Sequence, residues 1–233
     1  MAYDLLLNDR LDRFIRDRHR GETAVLVANG PSLNETDFDL IRGRLTFGLN
    51  KIYLGFEKFR FYPSYYVAVN ELVLRQAAGE IKGLNCVKFL SNRANDLFCN
   101  DALTYVLNTT HPQDRFSETP LYGLHEGWTV TYVALQLAYY MGFARVVIVG
   151  LDHRFDFDGQ PNETTLLKGT DQNHFSPAYF ANQAWDNPDL ANSEESFRIA
   201  RQRFEAVGRH IFDATIGGSC DVFEKRPLSN CFH

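Results

Sequence analysis

The 233-residue sequence predicts an α/β chain: a Rossmann-like, doubly wound, mostly parallel sheet with a long loop or lid inserted after the central strand. Three observations carry that expectation. Short continuous apolar runs, such as Thr23-Ala24-Val25-Leu26-Val27-Ala28 and Val146-Val147-Ile148-Val149, suit strands buried on both faces. These runs alternate with helix-length amphipathic segments. Residues 152–192 are polar, carry Gly, Pro and Asn, and show no period, which suits a lid, a binding loop or a disordered stretch rather than core.

Taken in order, the opening segment spaces Leu7, Leu11, Phe14 and Ile15 at helical intervals among Arg and Asp, predicting an amphipathic helix that Gly21 stops. The first strand follows at residues 23–28 and runs into Asn29-Gly30-Pro31-Ser32-Leu33. Leu45 to Leu49 predicts a second strand, ending at Asn50, and Tyr65 to Val69 a third, ending at Asn70. Val87 to Leu90 predicts a fourth. Thr129 to Met141 reads as a helix with Val133, Leu137 and Met141 on one stripe and Gly142 closing it. Val146 to Gly150 is the clearest strand of the chain. Ser193 to Val207 reads as a helix capped by Ser193, and Ile211-Phe212 as the start of a last strand.

Composition narrows the function. Apolar residues at 45% and charged residues at 23% fit a globular chain, not a fibre or a disordered tail. The length fits one domain over residues 1–233, with 152–192 as its lid or acceptor loop. Lys and Arg total 24 against 29 Asp and Glu, a net −5, so there is no basic field for nucleic acid. No apolar stretch approaches the roughly 20 residues that span a bilayer. The charged N-terminus lacks a secretory cleavage pattern, so a cytoplasmic location is expected. Cys86, Cys99, Cys220 and Cys231 form no CxxC pair, so reduced thiols and no zinc site are expected.

Ligands of open parallel sheets bind at the carboxyl ends of the strands. Asn29, Asn50 and Asn70 stand there, and each offers a donor and an acceptor on a short side chain. Asn also favours turns and tolerates left-handed backbone, so a purely structural role stays open for each. Gly30 lets backbone approach a ligand, and Ser32 is placed to cap a following helix whose amino end would favour phosphate. The segment is neither GxGxxG nor a P-loop, and a plain strand-to-helix turn explains it equally well. Gly150-Leu151-Asp152 follows the central strand, where a carboxylate can hold a ribose hydroxyl, hold a metal, or cap a turn. Asp156-Phe157-Asp158 matches an Asp-x-Asp metal pattern, but three residues in an acidic chain favour a solvated turn instead. His174 lies in the aperiodic loop three residues after Asp171, a general-base candidate whose tautomer Asp171 could set. Tyr179, Phe180 and Trp185 either wall an acceptor site or plug the core.

NGPSL, FGLNKIYL and TVTYVALQLAYYMGFARVVIVGLDHRF resemble the bacterial and archaeal MptE-like proteins, named for 6-hydroxymethylpterin diphosphokinase. NHFSPAYF and ATIGGSCDVF are similar to a bacterial subgroup of that family. The layout also resembles, more distantly, bacterial sialyltransferases that use CMP-sialic acid, and the related domain of motility-associated flagellin glycosylation proteins. That resemblance implies nucleotide contacts at Asn29, Gly30, Ser32 and Asn50, with Asn70 a further one, the Gly150–Asp152 turn beside the sugar nucleotide, and His174 as the catalytic base; Thr129 is a further candidate nucleotide contact, and Asp152 the next candidate for catalysis. It places His153 and Arg154 near the leaving phosphate.

The expected function is a transferase moving a CMP-activated acidic sugar to a glycan or small-molecule acceptor in bacterial surface-glycan synthesis, with no cofactor required. One alternative is a diphosphokinase passing pyrophosphate from ATP to a pterin alcohol. It would use Mg²⁺, with Asp152, Asp156 and Asp158 as candidate ligands. A non-catalytic nucleotide-binding module is the other.

Overall fold

The structure is a computed structural model that describes residues 2–110 and 115–232. Helix α1 (Ala2–Phe14) precedes β1 (Thr23–Val27) and β2 (Leu45–Leu49). The short α2 (Phe56–Phe59) leads into β3 (Tyr65–Ala68). Helices α3 (Glu71–Gln76) and α4 (Ala78–Gly83) precede β4 (Val87–Ser91) and β5 (Thr104–Leu107). The two-residue strands β6 (Thr109–Thr110) and β7 (Leu124–His125) pair with each other ahead of α5 (Val130–Tyr140) and β8 (Arg145–Val149). Within the long loop, β9 (Thr164–Leu166) and β10 (Ala184–Asp186) pair antiparallel. Helix α6 (Leu190–Glu205), β11 (His210–Asp213) and β12 (Glu224–Lys225) complete the order.

Eight strands form one sheet in the order β12-β11-β8-β1-β2-β3-β4-β5, and every pairing in it is parallel. The chain winds outward from β1 through β5, then returns to the other side of β1 with β8. The order therefore reverses between β1 and β8, where Leu26 pairs with Ile148. A reversal leaves the loops after the two strands pointing apart, and the crevice between them is where such sheets bind ligands.

Side-chain alternation splits the core into two layers. Leu26, Phe47, Val67 and Ile148 face one layer with α1, α5 and α6 residues such as Leu11, Leu135 and Phe204. Val25, Val27, Tyr66 and Val147 face the other, against Leu33, Val73, Leu74 and the loop aromatics. Both faces are covered, which is why the strands read as unbroken apolar runs. Helix α5 is buried on nearly every side, between the sheet and α6, with only Thr129, Val130 and Tyr139 partly exposed.

The structure shifts some element boundaries. Helix α6 begins at Leu190, three residues before the expected start, because the Asp189 carboxylate accepts the Asn192 N–H and takes the capping role from Ser193. Ser193 is buried inside the first turns instead. In α1, Leu11 anchors the buried face and Ile15 is buried just beyond the helix, while Phe14 is left exposed. The turn after Asn29 is only a 3-10 turn over Pro31–Asn34, capped by Gly30 without a side chain. No helix there presents an amino end to phosphate, and Ser32 caps nothing, since its hydroxyl is drawn to Asp152. Among the described residues no helix is long and apolar enough to cross a membrane.

Candidate active site at the strand switch point

The loops after β1 and β8 are stitched together by Asp152. Its Oδ2 accepts from the Ser32 hydroxyl at 2.6 Å and its Oδ1 from the Ser32 N–H at 3.1 Å. The Gly30 N–H donates to Gly150 O at 2.8 Å, and any Cβ at Gly30 would overlap the Asp152 carboxylate. Gly30 is thus required by close approach, not by turn type. Gly150 has φ +74°, with Leu33 packed where a side chain would go.

This seam floors a cavity of about 140 Å³ lined by Asn29, Gly30, Asn50, Thr129, Gly150, Asp152, His153 and His174, among others. A second, open cavity of about 720 Å³ adjoins it. The two share Asn50, Trp128, Thr129, Val130, Phe155, His174 and Pro188. Asn70 lines only the outer one.

The three asparagines differ. The Oδ1 atoms of Asn29 and Asn50 are buried and accept no hydrogen bond among the described residues. An unsatisfied buried acceptor costs about 1–3 kcal/mol, so two in one cavity need an account. Asn50 also takes the left-handed backbone, φ +45°, that lets β2 turn sharply. Asn70 is committed within the fold. Its Oδ1 accepts the Val73 N–H at 3.0 Å as the α3 cap, and its Nδ2 donates to Asp186 at 2.7 Å.

His174 sits at the seam of the two cavities. Its Nδ1 lies 2.8 Å from Asp171 Oδ2, and its ring stacks on Tyr179 with centroids 4.0 Å apart and planes 4° apart. Asp171 is buried, and burial alone would push its pKa up. Hydrogen bonds from His174 and from the Asn173 and Phe180 N–H groups outweigh that and hold it below the usual carboxylate range. An ionised Asp171 fixes the Nδ1–H tautomer and leaves Nε2 as an acceptor, and no described residue occupies Nε2. The dyad can therefore take a proton from a hydroxyl in either cavity.

His153, which lines the same cavity, is buried in a left-handed backbone, φ +52°, with Nε2 3.2 Å from Glu194. Burial pushes its pKa down, and Glu194 only partly opposes this, so the ring is neutral near pH 7. Thr129 caps α5 by accepting the Thr131 N–H at 3.3 Å, and the first turn of that helix lines the inner cavity.

Arg154 is exposed and lines neither cavity. Asp156 and Asp158 are exposed as well, and only Asp152 of the three acids lines a cavity. No group of three His, Cys, Asp or Glu side chains suited to a metal gathers among the described residues. These donors make no protein-only cage. A Mg²⁺ held mainly by nucleotide phosphates would meet Asp152 alone.

Tyr179, Phe180 and Trp185 are buried, and with Phe155, Phe157 and His174 they form an aromatic core inside the 152–192 segment. Lys51 ties that core to the sheet. Its buried Nζ donates to Tyr179 O, Gln183 and Gln76 at 2.9, 2.7 and 3.0 Å, and lies 4.4 Å from the Phe180 ring. Sequence reasoning had no signal for Lys51, because a lysine after a strand normally reads as solvated. It also missed Trp128, whose left-handed backbone, φ +59°, follows Gly127 at φ +55°.

An open parallel sheet with both faces covered and a strand-order reversal define a Rossmann-like α/β fold, and the polar crevice at that reversal is its candidate ligand site. The fold is similar to that of the MAf glycosyltransferase from Magnetospirillum magneticum AMB-1, with a TM-score of 0.60 and 17% identity. The similarity covers 93% of this chain and 35% of that one, so the chain spans about a third of that protein's length. No protein-family model and no curated protein matches the sequence.

Proposed function

We propose that the chain is a glycosyltransferase domain that takes its donor, a nucleotide-activated sugar, at the β1/β8 switch point. The observation that carries this reading is the pair of buried, unpartnered Oδ1 acceptors on Asn29 and Asn50 beside the Asp171–His174 dyad. Two such acceptors ask for a ligand with N–H or O–H donors, which a nucleobase amine and ribose hydroxyls supply. The fold's likeness to a glycosyltransferase points the same way.

A CMP-type donor, with its single phosphate, fits the charge, while the acidic sugar rests on the sialyltransferase resemblance alone. No Lys or Arg lines the inner cavity, so a single phosphate on the α5 amino end is better matched than a polyphosphate. The inner cavity is too small for a whole nucleotide-sugar, so the 152–192 segment lifts to admit it. In the transfer step the acceptor oxygen attacks the anomeric carbon, the bond from that carbon to the phosphate oxygen breaks, and the electron pair leaves with CMP. His174 Nε2 takes the acceptor's proton, and Asp171 stabilises the resulting imidazolium. The α5 amino end steadies the leaving phosphate, while neutral His153, whose one N–H is given to Glu194, only walls the site. The setting we propose is cytoplasmic synthesis of a bacterial surface glycan.

The test is CMP release from CMP-sialic acid or a related CMP-linked acidic sugar, with and without EDTA. Release that survives EDTA and needs His174 supports the reading. Tight Mg·ATP binding with no response to CMP would sink it.

A further inference from the structure

The outer cavity has an electrostatic character unlike that of a phosphate site. Its two arginines are already neutralised: Arg75 pairs with Glu71 at 2.8 Å and Asp96 at 2.9 Å, and Arg93 pairs with Glu126 at 2.9 Å. Asp186 adds a further negative charge, itself held by Thr164 and Asn70. A second anion brought here would meet no cation left without a carboxylate. Hydroxyl groups would meet carboxamides and carboxylates in numbers, which is the lining that recognises sugars. The volume, about 720 Å³, is that of a site for a small organic molecule.

One side chain at the junction makes no hydrogen bond and no ring or cation contact among the described residues. It is Trp128, which lines both cavities and is only half-buried. Nearly every other large aromatic near the site packs against another ring, as Phe155, Tyr179, Phe180 and Trp185 do. Trp128 is also held in a left-handed backbone, which disfavours a bulky residue by roughly 1–2 kcal/mol. Gly127 before it packs so tightly on Tyr132 that a side chain there would overlap the ring. A strained backbone that holds, at the wall of two cavities, an indole with no polar or ring partner needs a function to explain it.

We propose that the outer cavity is the acceptor subsite, and that it takes a neutral, hydroxyl-rich sugar whose apolar ring face lies on the Trp128 indole while one hydroxyl reaches His174 Nε2. This rests on the glycosyltransferase reading for the chemistry, but not for the binding. Trp128 is the specificity-determining platform, and the paired arginines leave the subsite selective against anionic sugars.

The experiment uses the whole chain with 5-fluorotryptophan incorporated. The sequence holds two tryptophans, so two fluorine resonances appear, and Trp128→Phe assigns them. The probes are methyl glycosides of glucose, galactose and N-acetylglucosamine, the corresponding sugar 6-phosphates, and CMP. A Trp128 shift with at least one neutral glycoside at up to tens of millimolar, and a weaker one with the phosphates, is the expected result. Trp128→Ala should weaken glycoside binding roughly tenfold, and more than it weakens CMP-induced thermal stabilisation. If no glycoside moves the Trp128 resonance, the subsite is refuted. It is also refuted if CMP alone moves the resonance and Trp128→Ala abolishes CMP stabilisation, because the indole is then a base platform. If glycosides bind but no nucleotide does, the subsite stands and the donor assignment falls.

Discussion

His174 and Asp171 carry the proposed chemistry, and their effects separate cleanly. His174→Ala should lower turnover by about 10²–10⁴ while nucleotide affinity stays within a few-fold, since a general base acts in the transition state. Asp171→Asn keeps the size but loses the charge that fixes the His174 tautomer. Its turnover should fall and the pH profile should shift, whereas a purely structural role would move only the melting temperature. Single-turnover rates across pH read both. Asn50 offers a second residue-level test, because its backbone and its side chain do different things. Asn50→Gly satisfies the left-handed φ and removes the unpaired acceptor but loses the Asn50 side chain's hydrogen bond to the Tyr179 hydroxyl, so the free protein should stay within about 1 kcal/mol of wild type while nucleotide binding weakens. Asn50→Ala should lose nucleotide binding and also about 1 kcal/mol of stability. Melting curves with and without CMP check the pair.

At the scale of elements, two seams hold the site. The first joins the ends of β1 and β8 through Asp152 and Ser32. Asp152→Ala leaves the Ser32 N–H and hydroxyl without their charged acceptor, and should cost roughly 1.5–3 kcal/mol in a urea melt. The second ties the 152–192 segment to the end of β2 through Lys51. Burial pulls the Lys51 pKa from its ordinary 10.5 to about 8, against the opposing pull of Glu80 and Asp171. Between pH 8 and 10.5 the unfolded chain therefore binds the extra proton, and this group's contribution to stability rises with pH across that window. The difference in unfolding free energy between wild type and Lys51→Met should show that rise, with buried tyrosines common to both cancelling. A flat difference curve would mean Lys51 is not buried as described.

For the whole molecule, the α/β class was legible because a sheet covered on both faces writes unbroken runs such as Val146 to Val149 into the sequence. The edge strand β12 left no such mark, since two residues are too few to set a period, and β5 was not legible although β3, equally short, was. The site was legible in part. Asn29, Asn50, Asp152 and His174 were found from strand ends and loop composition, and the structure brings all four to one cavity. Asp152 proved to be engaged in holding Ser32, and Asn70 in capping α3 and holding Asp186. Trp128 and Lys51 were invisible because their roles come from backbone strain and from burial, which only the folded chain creates.

The central claim is that Asn29 and Asn50 bind a nucleotide at the β1/β8 reversal. It is tested most directly by titrating CMP, CDP, UDP, GDP, ATP and AMP, with and without Mg²⁺, against the melting of the wild type and of Asn29→Ala. The account predicts that CMP stabilises the wild type, by about 2.7 kcal/mol at a hundredfold excess over its dissociation constant. It predicts that Asn29→Ala melts like the free wild type and loses that gain. If no nucleotide stabilises the wild type, or if Asn29→Ala keeps the full response to CMP, the account is contradicted.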